Sequence, residues 1–252
     1  MAALGRRAAN AARDVLRGRL HPGSCPICGP TVFQIRGPWL RDDYVCRRCA
    51  SIPRQRALVK VLNDEVPGWE RLRVFESSPG GVSSDYIRER AKDYTPSQLF
   101  DGVPSGTYVD GVRREDLQTL TLDDGSVDVL VTQDVAEHVV EPEKAFREVA
   151  RVLAPGGVHV WTVPIHAGRA TVVRAEPDGA GGVRHLMEPD YHGNPLGGRS
   201  LVVREWGDDL VAYVDGVSDV RTTRYDEDSR WHGLLGAMKD VLVSRKVAGT
   251  GG

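Results

Sequence analysis

Between Val127 and Val163 the chain reads as strand, turn, helix, turn and strand, a succession that leaves few folds open. Val127–Thr132 is a continuous apolar run too short for a helix and rich in β-branched residues, so it reads as a buried strand. The helix predicted at Pro142–Leu153 stops at Pro155-Gly156-Gly157, because proline cannot continue a helix and glycine takes the conformations of a tight turn. Val158–Val163 is then the next buried strand. Short apolar strands alternating with helices imply a parallel sheet covered on both faces.

The same rhythm extends outward. Arg73–Glu76 predicts a strand that ends in the cluster Ser77-Ser78-Pro79-Gly80-Gly81, followed by a helix over Ser83–Ala91 and a weak strand over Asp93–Ser97. After Pro164 the pattern loosens. Residues 166–200 are rich in Gly, Pro, His and Arg and predict a long irregular insertion or lid. Order returns with a helix expected at Val203–Val214 and strands at Val220–Arg224 and Asp240–Val247. Upstream, Leu4, Ala8, Ala11, Ala12, Val15 and Leu16 fall at helical spacing, so residues 1–20 read as a short amphipathic helix. The organisation expected is therefore a 1–20 helix, a 21–66 four-cysteine module and a 67–252 α/β domain carrying the 166–200 insertion.

All four cysteines lie in the middle segment. Cys25-Pro26-Ile27-Cys28 and Cys46-Arg47-Arg48-Cys49 form two C-x2-C pairs, each suited to a tight knuckle turn. Four thiolates so spaced can converge tetrahedrally on one zinc. A disulfide framework fits poorly with a chain that reads as cytoplasmic, and a redox C-x-x-C would sit at a helix start in a βαβ context. A closed four-thiolate site leaves no open coordination position, so the expected zinc is structural, stapling a segment too small to fold on its own core. It could also set Trp39, Leu40 and Tyr44 against the mouth of a site or a partner.

Composition sets limits on function. With 33 Lys+Arg against 35 Asp+Glu the formal net charge is −2, which argues against a bulk electrostatic grip on nucleic acid. Arg36, Arg41, Arg47, Arg48, Arg54 and Arg56 nevertheless make residues 36–56 locally basic. No apolar run approaches the roughly 18 residues of a membrane-spanning helix.

The stretch Asp124-Gly125-Ser126-Val127-Asp128-Val129-Leu130, then Glu137-His138-Val139, and then Arg151-Val152-Leu153-Ala154-Pro155-Gly156-Gly157 resembles the fourth strand, following loop and helix of class I methyltransferases. The resemblance covers residues 71–165. With the cysteine pairs and Tyr191-His192-Gly193-Asn194-Pro195, the chain further resembles a bacterial subgroup carrying an N-terminal zinc ribbon. It implies a Rossmann-like, doubly wound, mostly parallel seven-stranded sheet with a small zinc-ribbon-like module ahead of it. It also implies S-adenosyl-L-methionine as cofactor, bound outside the carboxyl ends of the strands at the switch point.

Site residues follow by position. Glu76, Ser78, Gly80 and Gly81 match the loop after the first strand, with Ser78 standing where the family usually has glycine. The acid that usually holds the ribose hydroxyls has no counterpart, and Ser97 or Gln98 would substitute. Asp116, with Leu117, matches the position that receives the adenine amino group, a role suited to an acceptor-only carboxylate. Gln133 and Asp134 follow the fourth strand.

Methyl transfer from a sulfonium needs alignment and, for a hydroxyl acceptor, removal of a proton. Histidine suits the second task. His138 on the loop facing the cofactor and His166 beyond the fifth strand are the candidates. His185, Glu188, Asp190 and His192 in the insertion could hold a divalent metal or stand as solvated loop groups. Trp161, Trp206 and Trp231 read as core, though Trp206 or Trp231 near a cleft would suggest carbohydrate stacking.

The leading expectation is O-methylation of a sugar or other small-molecule hydroxyl in bacterial glycan or secondary-metabolite biosynthesis. An RNA or protein methyltransferase using the zinc module for recognition, and a degenerate methyltransferase-fold scaffold, remain open alternatives. A small acceptor is the expected partner, with nucleic acid and a second copy in a homodimer left open.

Overall fold

The computed structural model describes residues 18–193 and 198–247. The amphipathic reading of residues 1–20 falls almost wholly outside them, and the chain enters the described part directly into a strand. That strand, β1 (Leu20–Cys25), pairs antiparallel with β2 (Gly29–Ile35), and β2 with β3 (Tyr44–Cys46). A short helix, α1 (Leu40–Asp43), bridges β2 and β3, and α2 (Pro53–Glu65) follows with proline in its first turn. The small sheet buries Phe33 and Tyr44 beside Cys25 and Cys46.

The main sheet then begins. β4 (Arg73–Ser77), α3 (Gly81–Arg90), β5 (Asp93–Gln98), β6 (Tyr108–Val109), β7 (Val112–Arg114), β8 (Val127–Gln133), α4 (Pro142–Val152) and β9 (Leu153–Thr162) follow in order. The insertion folds into short ribbons that pair β10 (Val172–Val173) with β15 (Arg204–Glu205), β11 (Ala175–Pro177) with β12 (Val183–His185), and β13 (Tyr191–Gly193) with β14 (Arg199–Leu201). Helix α5 (Leu210–Val217), β16 (Val220–Tyr225) and β17 (Val241–Lys246) close the fold.

The eight-stranded sheet has the order β16-β17-β9-β8-β4-β5-β7-β6. Strands β9, β8, β4, β5 and β7 are parallel, while β17 runs antiparallel to both neighbours and β6 forms an antiparallel edge hairpin with β7. This is the expected Rossmann-like architecture with one short strand added at the edge. Period-two alternation along β8 explains its two layers. Val129 and Val131 pack with Leu58 and Leu62 of α2 and Ile87 of α3. Leu130 faces the other way, toward Val149 and Val152 of α4. Helix α2, at the end of the cysteine segment, thus covers the main sheet.

Two expectations are corrected. The helix expected over Val203–Val214 begins only at Leu210. Val202, Val203 and Trp206 are apolar because the core buries them in extended chain, and Gly207 lies so close to the Arg169 carbonyl that a Cβ there would collide. The insertion expected to be irregular is instead built of β-ribbons, tied down where Val203 and Arg204 N–H groups both donate to the Glu137 carbonyl, at 2.8 and 3.1 Å. Asn194 and Pro195 of the expected turn lie outside the described residues. No described helix is long and apolar enough to cross a membrane.

Candidate functional site

The chain passes from β4 to β5 on one side and later returns to β8 on the other, so the switch point lies between β4 and β8. Two adjoining cavities open over that point. The first, about 330 Å³, is lined by Ser78, Gln98, Asp101, Asp116, Leu117 and residues of the loop after β8. The second, about 500 Å³, lies toward the cysteine module and includes Arg41, Arg54, Gly80, Gly81, Glu137 and His192. Ser78, Gln133, Asp134, His138 and Gly193 line both.

Beneath the first cavity, β4 ends on Glu76, which is fully buried. Its carboxylate accepts from Ser84 Oγ at 2.6 Å, Tyr94 Oη at 2.7 Å and Gln133 Nε2 at 3.0 Å. Burial raises its carboxyl above the usual range, against those hydrogen bonds. Gln133 also accepts from Ser83 Oγ at 2.6 Å, so β4, α3 and β8 are fastened together under the loop. Glu76 therefore supports the loop and lines neither cavity.

Ser78 adopts φ +56°, the left-handed region that glycine takes without strain. Its N–H donates to the Ser97 carbonyl at 2.8 Å, which holds the turn in place. The backbone turn of a glycine loop is thus retained without the first glycine. Ser97 is buried and lines neither cavity; Gln98 and the exposed Asp101, three residues beyond it, do. Asp101 was not anticipated. The sequence signal was an acidic residue displaced just past the end of β5.

Asp116 lines the first cavity and also forms a local turn, its Oδ1 accepting from the Gln118 N–H at 2.9 Å. Neighbouring Glu115 is buried and engaged by Arg113 and Thr121. Asp134, at φ +51°, receives Arg41 Nη2 at 2.8 Å and Arg54 Nε at 2.9 Å on one oxygen, and Thr162 Oγ1 at 3.1 Å on the other. Two arginines of the cysteine segment therefore clasp the loop after β8.

His138 donates Nδ1–H to the Leu201 carbonyl at 2.8 Å. A carbonyl can only accept, so the neutral ring carries its proton on Nδ1 and its lone pair on Nε2. His166 lines neither cavity; its backbone N–H joins Trp206, and burial, then Arg169, lowers its imidazole below the ordinary value. Of the insertion's metal candidates, His192 reaches the second cavity, whereas His185, Glu188 and Asp190 line neither. Trp161 and Trp206 are buried core, while Trp231 is exposed.

The four cysteine sulfurs, Cys25, Cys28, Cys46 and Cys49, lie within 4.8 Å of one another. Cys25 and Cys49 are 3.8 Å apart, and Cys28 and Cys46 are 3.6 Å apart. Sulfurs bound about 2.3 Å from one tetrahedral zinc stand roughly 3.8 Å apart, so the donor set fits that ion; a disulfide at about 2.05 Å is not formed. Below the cluster Arg56 is fully buried and donates to the carbonyls of Ser51, Tyr44 and Gly233. It is thus no part of a basic surface. Tyr44 is likewise buried, and Trp39 is half exposed.

Strand order, switch point and cleft together define the class I methyltransferase fold. The methyltransferase-domain family matches residues 83–161. The chain is similar in structure to an S-adenosylmethionine-dependent methyltransferase from Mesorhizobium loti, with a TM-score of 0.50 and 17% identity over 75% of this chain and 98% of that one. An uncharacterized 37.1 kDa protein in transposon TN4556 of Streptomyces fradiae is 50% identical over 87 residues, 29% of this chain and 25% of the relative. An uncharacterized methyltransferase of Mycobacterium sp. (strain JLS) is 29% identical over 119 residues, 44% of this chain and 45% of the relative. The chain thus spans less than half the length of these curated relatives.

Proposed function

We propose that this chain is an S-adenosylmethionine-dependent methyltransferase acting on a hydroxyl of a sugar or other small molecule. The observation that carries the reading is the pair of joined cavities at the switch point, with His138 on the wall they share. The first cavity is assigned to the cofactor. Ser78 borders it from the loop after β4, whose Gly80 and Gly81 turn on into the second cavity; Gln98 and Asp101 replace the missing ribose acid, Asp116 and Leu117 border the adenine end, and Gln133 and Asp134 close the floor. The cofactor supplies a methyl group on a positively charged sulfur.

The second cavity is assigned to the acceptor. There the loop after β8 and the β13–β14 ribbon bring Glu137, His138 and His192 together, and this group activates the acceptor hydroxyl, which gives up its proton. The oxygen's electron pair then forms the new C–O bond as the C–S bond breaks and its pair returns to sulfur. Alignment across the shared wall is the larger part of the work.

The four cysteines are assigned a structural zinc, which fixes α1 and α2 and through them Arg41 and Arg54. A small acceptor is supported over RNA because Arg56 is buried, Arg41 and Arg54 are paired with Asp134, and Arg48 donates to the Cys28 carbonyl. An open basic stripe is what an RNA site would use.

Substitution separates the two histidines first named. His138→Ala is expected to lower turnover at least about a hundredfold, while His166→Ala stays near the parent. The assay is transfer from labelled cofactor to a panel of hydroxyl acceptors. Equal losses in both variants, or none in His138→Ala, would contradict this assignment.

A further inference from the structure

We infer that Glu137, His138 and His192 hold a divalent transition-metal ion on the acceptor side of the cleft, separate from the four-cysteine cluster. Glu137 is the starting point. Its side chain is 2% exposed, and neither carboxylate oxygen has a hydrogen-bond partner among the described residues. An ionised carboxylate buried without donors costs several kcal/mol, so a positive partner belongs there. Its own backbone carbonyl is pinned by the N–H groups of Val203 and Arg204, just past the insertion, which holds the residue at this place.

Two imidazole nitrogens converge on that carboxylate. His138 Nε2 and His192 Nδ1 each stand 3.7 Å from Glu137 Oε1, too far for a hydrogen bond. Donor atoms bound about 2.1 Å from one ion stand roughly 3.0–3.5 Å apart, so a shift of a few tenths of an ångström closes these two contacts around a metal. One donor atom from each of the three residues lies within 4.8 Å of the others. The hydrogen bond from His138 Nδ1 to Leu201 leaves Nε2 as a lone pair facing the carboxylate. That is the arrangement in which a carbonyl orients a metal-bound imidazole. The rings of His138 and His192 meet edge to face, 5.3 Å between centroids.

The donors set the kind of ion. Two imidazoles and a carboxylate suit manganese, iron, cobalt or zinc, whereas thiolates draw zinc to the cysteines. Three protein ligands leave coordination positions open toward the second cavity, as in a catalytic site. On the proposed methyltransferase reading, those positions take the acceptor. The substrate class is then a molecule with a hydroxyl beside a second oxygen, such as a vicinal diol, able to chelate the ion. Coordination lowers the hydroxyl pKa, its proton leaves to water, and the oxygen is ready to accept the methyl group.

The test is Mn2+ binding to the full chain as purified, read by loss of the free-ion electron paramagnetic resonance signal, with S-adenosylhomocysteine calorimetry on the same samples. The expected result is about one Mn2+ per chain, with affinity falling at least about tenfold in both Glu137→Gln and His192→Ala. S-adenosylhomocysteine affinity should stay within about threefold, since neither side chain lines the cofactor cavity. His192 is half exposed on a short ribbon, so that variant keeps the test valid if Glu137→Gln fails to fold. No Mn2+ bound, or unchanged affinity in His192→Ala, overturns the inference. Metal binding without S-adenosylhomocysteine binding leaves the ion site standing and sinks the methyltransferase reading instead.

Discussion

At the scale of single residues, the loop after β4 turns on Ser78. A side chain in the left-handed region costs about 1–2 kcal/mol relative to glycine, offset in part by the freedom glycine loses on folding. Ser78→Gly is therefore expected to raise stability by up to about 1 kcal/mol in urea unfolding while keeping S-adenosylhomocysteine affinity. A loss of stability would mean that the Ser78 side chain supplies a contact the turn needs. His159 makes a second prediction. It is fully buried, bonded to Thr132 and stacked on Trp161, and burial lowers its imidazole to about 3. The unfolded chain binds a proton near pH 6.5 that the native chain refuses, so this contribution to stability is complete above that pH. It falls by about 1.4 kcal/mol per pH unit as pH drops toward 3. Buried Glu76, raised rather than lowered, works in the opposite sense, so the comparison must be made against His159→Gln. The variant should show a flatter loss of stability between pH 7 and 5; an unchanged profile would exclude His159 as the source.

At the scale of elements, the cysteine module meets the main sheet at Asp134. Helix α1 supplies Arg41 and helix α2 supplies Arg54 to one carboxylate oxygen, at the residue that ends the shared wall of the two cavities. Both arginines are largely covered, so the pairing is less screened than a surface ion pair. Losing one leaves Asp134 still neutralised, whereas losing both frees the loop. The double variant Arg41→Ala, Arg54→Ala should thus weaken S-adenosylhomocysteine binding about tenfold, by more than the two single effects together. Additive or absent effects in the calorimeter would show that the clasp does not position the loop. This clasp was invisible in the sequence. Arg41 and Asp134 are 93 positions apart, and residues 36–56 looked only locally basic. The strands were legible because apolar runs such as Val127–Thr132 declare themselves locally. The Val203–Val214 segment misled for the converse reason: its apolar residues answer to tertiary burial and not to a helical face.

At the scale of the whole molecule, a short three-stranded sheet carrying the four cysteines, a Rossmann-like sheet and a ribboned insertion meet around one cleft. The fold was readable from the Asp128–Gly157 run and the cysteines from their spacing, because both signals are local. Glu137 and His192 were not readable as partners, since chain closure across the β13–β14 ribbon brings them together. Asp101 escaped because it stands past the strand end where the family's acid is sought. The central claim is that the altered loop still binds the cofactor, with Ser78 taking a glycine's backbone and Gln98 and Asp101 taking the ribose acid's place. Isothermal calorimetry with S-adenosylhomocysteine tests it most directly. One molecule is expected to bind per chain at micromolar concentration, with affinity at least about tenfold lower in Asp116→Ala with the fold intact. Absence of binding at millimolar S-adenosylhomocysteine would contradict it.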